Sequence, residues 1–337
     1  MTEEPQLYHS VKIDSLELSG NLFLAPVAGY SDRSFRSVCY EHGADFAYTE
    51  MVSSEALVRA SVKTATIMER APNEKNLAVQ IFGGEEKIMA EATKIVINTV
   101  NPQLIDINAG CPVPKIIKTG AGSALTREPE RLGKIVKAVC SAVAETEKNI
   151  PVTVKIRSGW DQKHISFKEA AQAAIENGAK AITLHSRTRA QGYEGKADWS
   201  KLAELVQMFS NTNIPIFGSG DVFTPEDCKR MLEETSCSAV MFARGAMGNP
   251  FIFTQSKQLL QTGSYSEIPL SLRLKTGMKE LNLLIEDIGE KAACREMRKR
   301  FCGYTKGISG AAEIRKQIVA CSSVQDYENV VLSCYFL

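Results

Sequence analysis

Short apolar runs recur along this chain, separated by longer stretches in which apolar residues return every three or four positions. Eight runs have the length and composition of buried strands. They are Leu22–Pro26, Phe46–Glu50, Leu77–Phe82, Leu104–Asn108, Val152–Ile156, Ala181–His185, Ile214–Phe217 and Ala239–Ala243. Between most of them the period changes to that of a helix. Over Glu85–Val100 the inward set is Ile88, Ala92, Ile95, Val96 and Thr99; over Glu130–Ala144 it is Leu132, Ile135, Val136 and Val139. Phe167–Asn177 ends at Asn177-Gly178, a helix stop. Thr224-Pro225-Glu226-Asp227 is a helix start, with a cap, a proline in the first turn and acids near the positive end of the dipole. Residues 8–20 read as a hairpin punctuated by Gly20-Asn21.

Eight strand–helix units over about 230 residues predict an α/β fold, a parallel eight-stranded (β/α)8 TIM barrel, which typically takes ~250. The rival is a doubly wound open sheet, whose first strand usually runs into Gly-x-Gly-x-x-Gly. Here it runs into Ala25-Pro26-Val27-Ala28-Gly29, which favours the barrel. Beyond Pro250 the strands stop. Leu270–Ile288, Lys291–Thr305 and Ala311–Ala320 read as helices, broken at Gly289, Gly303 and Gly307–Gly310. The expected organisation is a lead-in hairpin over 1–21, a barrel over 22–265 and an all-helical domain over 266–337.

Composition narrows the function. Forty basic against 39 acidic residues announce no nucleic-acid partner globally, so any basic surface must be local. One such place is Lys291–Lys306, with six basic residues and a single acid, Glu296. That run is either a solvated helix face or an RNA-contacting one. Nine cysteines without a Cys-x-x-Cys pair, and only four histidines, argue against a disulfide framework and a metal site. No signal peptide or membrane-length apolar run is present, so a cytoplasmic protein is expected, and a monomer.

In a barrel the chemistry gathers at the C-terminal ends of the strands. Reading those ends gives Gln80, then Asn108 and Cys111, Lys155 and Arg157, His185 and Arg187, the turn Gly218-Ser219-Gly220-Asp221, and Arg244-Gly245. Cys111 sits between Gly110 and Pro112 on a loop just past a strand, where a functional thiol competes with a buried structural one. Lys155, inside a valine-bounded strand, needs a counter-charge such as Asp106 or Glu50, or else a ligand. The turns after the seventh and eighth strands occupy the usual phosphate position of such barrels. No Gly-x-Ser-x-Gly elbow and no obvious acid pair for glycoside hydrolysis are present.

The ordered set Ala25–Asp32, Thr49-Glu50-Met51, Val79–Gly83, Asp106–Val113, Val154–Trp160, His185–Tyr193 and Ala243–Pro250, with Arg295–Lys299, Tyr304–Gly307 and Gly310–Arg315, resembles the tRNA-dihydrouridine synthases, most closely the bacterial B-type branch. The resemblance implies an FMN-binding barrel with a helical tRNA-binding domain. It implies NADPH-dependent reduction of a D-loop uridine to 5,6-dihydrouridine, with hydride from reduced FMN to C6. Cys111 matches the catalytic cysteine and would protonate C5. Pro26, Val27, Ala28, Gln80, Lys155, His185, Ser219, Gly220, Asp221, Ala243 and Arg244 match the cofactor site. Asn108 and Arg157 match residues near the target base. The segment from Arg187 to Tyr193, together with Arg298 and Lys299, is the candidate tRNA contact. Ala109, Ser219 and Ala243 depart from the family's common methionine, asparagine and glycine, which bears on packing around the flavin. Arg300 and Gly303 stand where histidine and tryptophan are frequent, which bears on the RNA surface. The rival readings are an FMN barrel oxidoreductase of the dihydroorotate dehydrogenase kind acting on a small pyrimidine, and a non-catalytic tRNA-binding protein.

Overall fold

The computed structural model describes residues 6–335. Nine parallel strands form one sheet in the order Phe46–Ala47, Leu22–Leu24, Ala239–Phe242, Ile216–Ser219, Ile182–Thr188, Val152–Asp161, Leu104–Ala109, Ala78–Phe82 and Val52–Ser53. The ends of this path meet. Tyr48 bridges in parallel to Ala78, and the Thr49 N–H donates to the Ala78 carbonyl at 2.9 Å. The sheet is therefore a closed eightfold barrel whose second strand is split in two. That strand, expected to be continuous over Phe46–Glu50, breaks because the Gln80 N–H bonds the Thr49 hydroxyl rather than a strand carbonyl, at 3.2 Å. Glu50 turns instead to accept from the Gly29 N–H at 2.5 Å. The first strand also ends early, at Leu24, although the Ala25 N–H still reaches the Phe242 carbonyl at 2.7 Å. Pro26 has no N–H to continue the ladder.

Side-chain parity sorts the strands into two cores. Ile105, Ile107, Val79, Val154, Leu184 and Val240 pack with the surrounding helices. Phe23, Phe46, Leu104, Ala181, Phe217 and Ala239 form a second cluster with Val11, Ile13 and Leu18. The antiparallel hairpin Val11–Ile13 and Leu16–Leu18 thus plugs the N-terminal end of the barrel. From that apolar floor the inward positions become polar: Asp106 then Asn108, Thr153 then Lys155, His185, and Ser219.

Helices lie where the periodicity places them, including Glu86–Val100, Pro129–Ala144 and Phe167–Glu176. At Pro225–Thr235 the expected cap is a full capping box between Thr224 and Asp227. The C-terminal region holds Leu270–Ile288, Glu290–Tyr304, Ala311–Ala320 and a fourth helix, Val324–Ser333, that the period analysis missed. Its sequence signal was the capping box Ser323-x-x-Asp326. These helices share their own core, with Leu281, Met297, Phe301, Tyr304, Ile314 and Tyr327 among its members.

The helical region is bolted to the barrel. Arg300, 3% exposed, donates to Asp32 at 2.5 Å, to the Gly29 carbonyl at 3.1 Å and to Glu280 at 2.9 Å. Tyr304 donates its hydroxyl to Glu280 at 2.7 Å. Asp287 accepts from Ser34 at 2.6 Å and Arg33 at 2.5 Å. Gly303 touches the turn after the last strand so closely that an added Cβ would lie 2.8 Å from Gly248 Cα. Arg300 and Gly303, which depart from the family's frequent histidine and tryptophan, both sit at the barrel–helix junction.

Candidate active site

The strand ends open into a cavity lined by Ala25–Ala28, Met51, Asn108, Gly110–Val113, Lys155, Arg157, His185, Tyr193, Ser219–Phe223, Met241 and Ala243–Gly245, with Met247. Thirteen of the residues singled out from sequence meet there: Pro26, Val27, Ala28, Asn108, Cys111, Lys155, Arg157, His185, Ser219, Gly220, Asp221, Ala243 and Arg244.

Cys111 is half-buried on its loop. Its N–H and that of Gly110 donate to Asn108 Oδ1 at 2.9 and 3.1 Å. The carbonyl of Gly110 accepts from Ser123 Oγ at 2.8 Å and from Arg157 Nε at 2.9 Å. Gly122, at φ +61°, approaches so closely that a Cβ would lie 2.7 Å from the Cys111 carbonyl oxygen. Glycine is needed for both reasons. Burial pushes the Cys111 thiol up, against the smaller opposing effects of a backbone hydrogen bond, Arg157 and Lys155.

Lys155 pairs in register with Asn108 on one side and Thr183 on the other. Among the described residues its amine has no hydrogen-bond or ion-pair partner. Burial first, then the charge of Arg157, push it down to about 8, and the charge of Asp106 offsets only part of this. The structural ion pair considered for it is absent. His185 is in the same condition: Nε2 is buried and unpartnered, and burial, then Lys155 and Arg157, hold the ring well below its ordinary value. Arg157, buried, spans the mouth by donating to the Thr188 and Gly192 carbonyls at 2.8 and 3.0 Å, and burial drives it down to about 10.

The side after the seventh and eighth strands is built around Asp221. It accepts from Arg187 at 2.7 and 2.8 Å, from the Ala197 N–H at 2.8 Å and from Arg244 at 3.0 Å. Burial would raise its carboxyl, but the hydrogen bonds and charges from Arg187, Ala197 and Arg244 outweigh it and leave the group below its usual range.

Four of the singled-out residues do not line the cavity. Gln80 is fully buried, with one end of its amide on Asp106 at 2.6 Å and the other on Asn108 at 2.7 Å. Arg187, 2% exposed, braces Asp221 and the Glu194 and Gly195 carbonyls from behind. Arg298 donates to the Cys321 carbonyl at 2.8 Å, which fixes it within the helical region. Lys299 pairs with Glu296 at 2.7 Å and lies 4.9 Å from the Tyr30 ring, beside the first loop.

A profile described as Dihydrouridine synthase (Dus) matches residues 23–336. The chain is 52% identical over 330 residues to a probable tRNA-dihydrouridine synthase of Treponema pallidum, covering 98% of this chain and 97% of that one. The chain belongs to the dihydrouridine synthase family. Tyr193 lies in the segment matched to the B-type branch, and a tRNA-dihydrouridine synthase B of Vibrio cholerae is 35% identical, covering 97% of this chain and 98% of its own. Among solved structures, a histamine dehydrogenase from Rhizobium superposes with a TM-score of 0.55 at 12% identity. It covers 83% of this chain, and the chain spans about half (51%) of its length, so the likeness is one of fold.

Of the two aromatic residues at the cavity rim, Tyr193 ends the segment read as a candidate tRNA contact and Phe223 was missed. Tyr193 and Phe223 are 60% and 45% exposed, and the Arg244 guanidinium lies between them, 4.3 and 5.0 Å from their ring centroids. Large exposed rings flanking a strand-end arginine were the available signal. Among the described residues no His, Cys, Asp and Glu cluster is placed to hold a metal ion, and no helix is long and apolar enough to cross a membrane.

Proposed function

We propose that this chain reduces the C5–C6 double bond of a D-loop uridine in tRNA to 5,6-dihydrouridine, with FMN as bound cofactor and NADPH as reductant. The observation that carries this is one cavity lined at once by the thiol of Cys111 and by the unpartnered polar atoms of Lys155 and His185. Membership of the family fits it.

The cavity suits a flavin. His185 Nε2, a buried polar atom without a protein partner, needs a ligand atom. At Gly220, φ +115°, a Cβ would lie 2.9 Å from the His185 ring, so the turn keeps the backbone open beside it. Arg244 lies across that turn, where a phosphate would find it. When bound, reduced FMN would supply the hydride that uracil C6 receives, which no side chain can donate.

The chain's own residues do the rest. Lys155 would set a cation beside a bound flavin, favouring its reduced, negatively charged form. His185, held neutral, orients without adding charge. Asn108 and Arg157 border the space for the base. Cys111 transfers its S–H proton to C5; the raised thiol stays protonated near neutrality, as a general acid must. The thiolate left behind recovers a proton from solvent.

The test is purified protein with NADPH and unmodified tRNA, scored for flavin spectrum and dihydrouridine. A yellow protein that forms dihydrouridine in the D-loop is expected. Reduction of free uridine or orotate with none of tRNA would overturn the reading.

A further inference from the structure

We propose that Asp106 is a positioning residue: it sets the direction of a buried hydrogen-bond chain through Gln80 and Asn108 that holds the backbone amides of the Cys111 loop. The link to catalysis rests on Cys111 being the proton donor; the chain itself does not.

Asp106, 1% exposed, accepts from Thr153 Oγ1 at 2.6 Å and from Gln80 Nε2 at 2.6 Å. Gln80 Oε1 accepts from Asn108 Nδ2 at 2.7 Å. Asn108 Oδ1 then accepts from the Gly110 and Cys111 N–H groups at 3.1 and 2.9 Å. Register explains the path. Gln80, Asp106 and Thr153 are level on three adjacent strands. Asn108 is two residues further along the Asp106 strand, on the same face and nearer the mouth.

Each primary amide has one donating and one accepting end. A chain of two amides therefore has a direction, and both termini impose the same one. The backbone N–H groups at the top can only donate. The carboxylate at the bottom can only accept while ionised. Turning either amide over would set donor against donor or acceptor against acceptor at both of its ends. Burial raises the Asp106 carboxyl to about 6, against hydrogen bonds from Gln80 and Thr153 and the charge of Lys155, so it remains an acceptor near neutrality.

The loop needs this grip. Gly110 and Cys111 lie past the end of the strand, so their amides have no ladder partner. The other anchors, from Ser123 and Arg157, hold carbonyls. Among the described residues only Asn108 Oδ1 holds these two amides.

Asp106→Leu removes the acceptor and strands the donating end of Gln80. Gln80→Met cuts the chain in the middle and leaves Asp106 in place. Asp106→Asn keeps an oxygen for Gln80 and turns its amino group to the Thr153 hydroxyl, which can accept. Hydrogen–deuterium exchange on the full chain is the direct readout. Exchange of the Gly110 and Cys111 amides is expected to quicken about 10-fold or more in Asp106→Leu and Gln80→Met, the loss of one hydrogen bond's worth of protection. It is expected to stay near wild type in Asp106→Asn, with the strand Leu104–Ala109 still protected in every variant that folds. In kinetics, Gln80→Met is expected to slow dihydrouridine formation more than flavin reduction by NADPH, whereas Asp106→Leu also removes the charge that supports the Lys155 cation and slows both steps; the double variant is expected to lose no more dihydrouridine formation than Asp106→Leu alone. Unchanged exchange at Gly110 and Cys111 in Gln80→Met would overturn the proposal, as would loss of flavin in place of the half-reaction split. Should Asp106→Leu not fold, Gln80→Met decides alone. A wild-type protein inactive on tRNA would instead count against the proposed function, with the exchange result still deciding the chain.

Discussion

At the scale of single residues, the site separates groups that are paired from groups left open. Asp221, Arg187 and Gln80 spend their polar atoms on the protein. Lys155 and His185 do not, and Cys111 faces the same space. Cys111→Ala is expected to keep the flavin spectrum and NADPH oxidation and to lose dihydrouridine formation by roughly 10²–10⁴-fold, the usual worth of a positioned acid, measured on tRNA. Lys155 titrates at about 8. It is cationic below that value and loses its charge as pH rises through it. Flavin reduction by NADPH should accordingly slow as pH rises through about 8, and Lys155→Arg, charged throughout, should flatten the profile in stopped-flow measurements. The same three open groups were legible from sequence because strand ends and their parity are local properties. The engagement of Gln80 and Arg187 was not, because the carboxylates they meet, Asp106 and Asp221, lie 26 and 34 residues further along the chain.

At the scale of elements, the junction between barrel and helical region stands on few contacts of high consequence. Helix Glu290–Tyr304 meets the Met247-Gly248 turn through glycines on both sides. Gly303→Ala is expected to force the two apart and to cost about 1–3 kcal/mol, seen as a lower urea midpoint. Arg300→Leu would leave Glu280 buried without its cation. Breaking such a buried pair from one side costs roughly 3–5 kcal/mol, so this variant should be the more damaging in the same measurement. Because Arg300 also holds the Gly29 carbonyl, next to the cavity-lining Val27 and Ala28, its loss should weaken flavin retention as well. Glycine breaks marked off three of these helices in the sequence; the function of Arg300 and Gly303 followed from what they pack against.

At the scale of the whole molecule, a formal charge of +1 gives tRNA no general attraction. Affinity must then come from local basic groups. The run Lys291–Lys306 divides in the fold: Arg300 is buried, Arg298 is tied to Cys321, and Lys291, Arg295, Lys299 and Lys306 remain exposed. Arg295→Glu with Lys299→Glu is expected to weaken tRNA binding and to make its logarithmic salt slope shallower, with flavin content unchanged. Identical affinities and slopes in filter-binding titrations would place the RNA elsewhere. Arg298→Glu is a poorer probe, because it also removes a hydrogen bond inside the helical region.

Period, parity and punctuation determined the eight barrel strands, the helices between them, the lead-in hairpin and most of the rim chemistry. Each depends on neighbours a few positions away, and such neighbours are written side by side in the chain. Tertiary structure alone decided that the second strand is split, that Arg300 and Gly303 belong to a junction, and that Asp106 speaks to the Cys111 loop through two amides. Those outcomes depend on which residues close in space complete each other's hydrogen bonds and fill each other's gaps, and spacing along the chain carries no record of that.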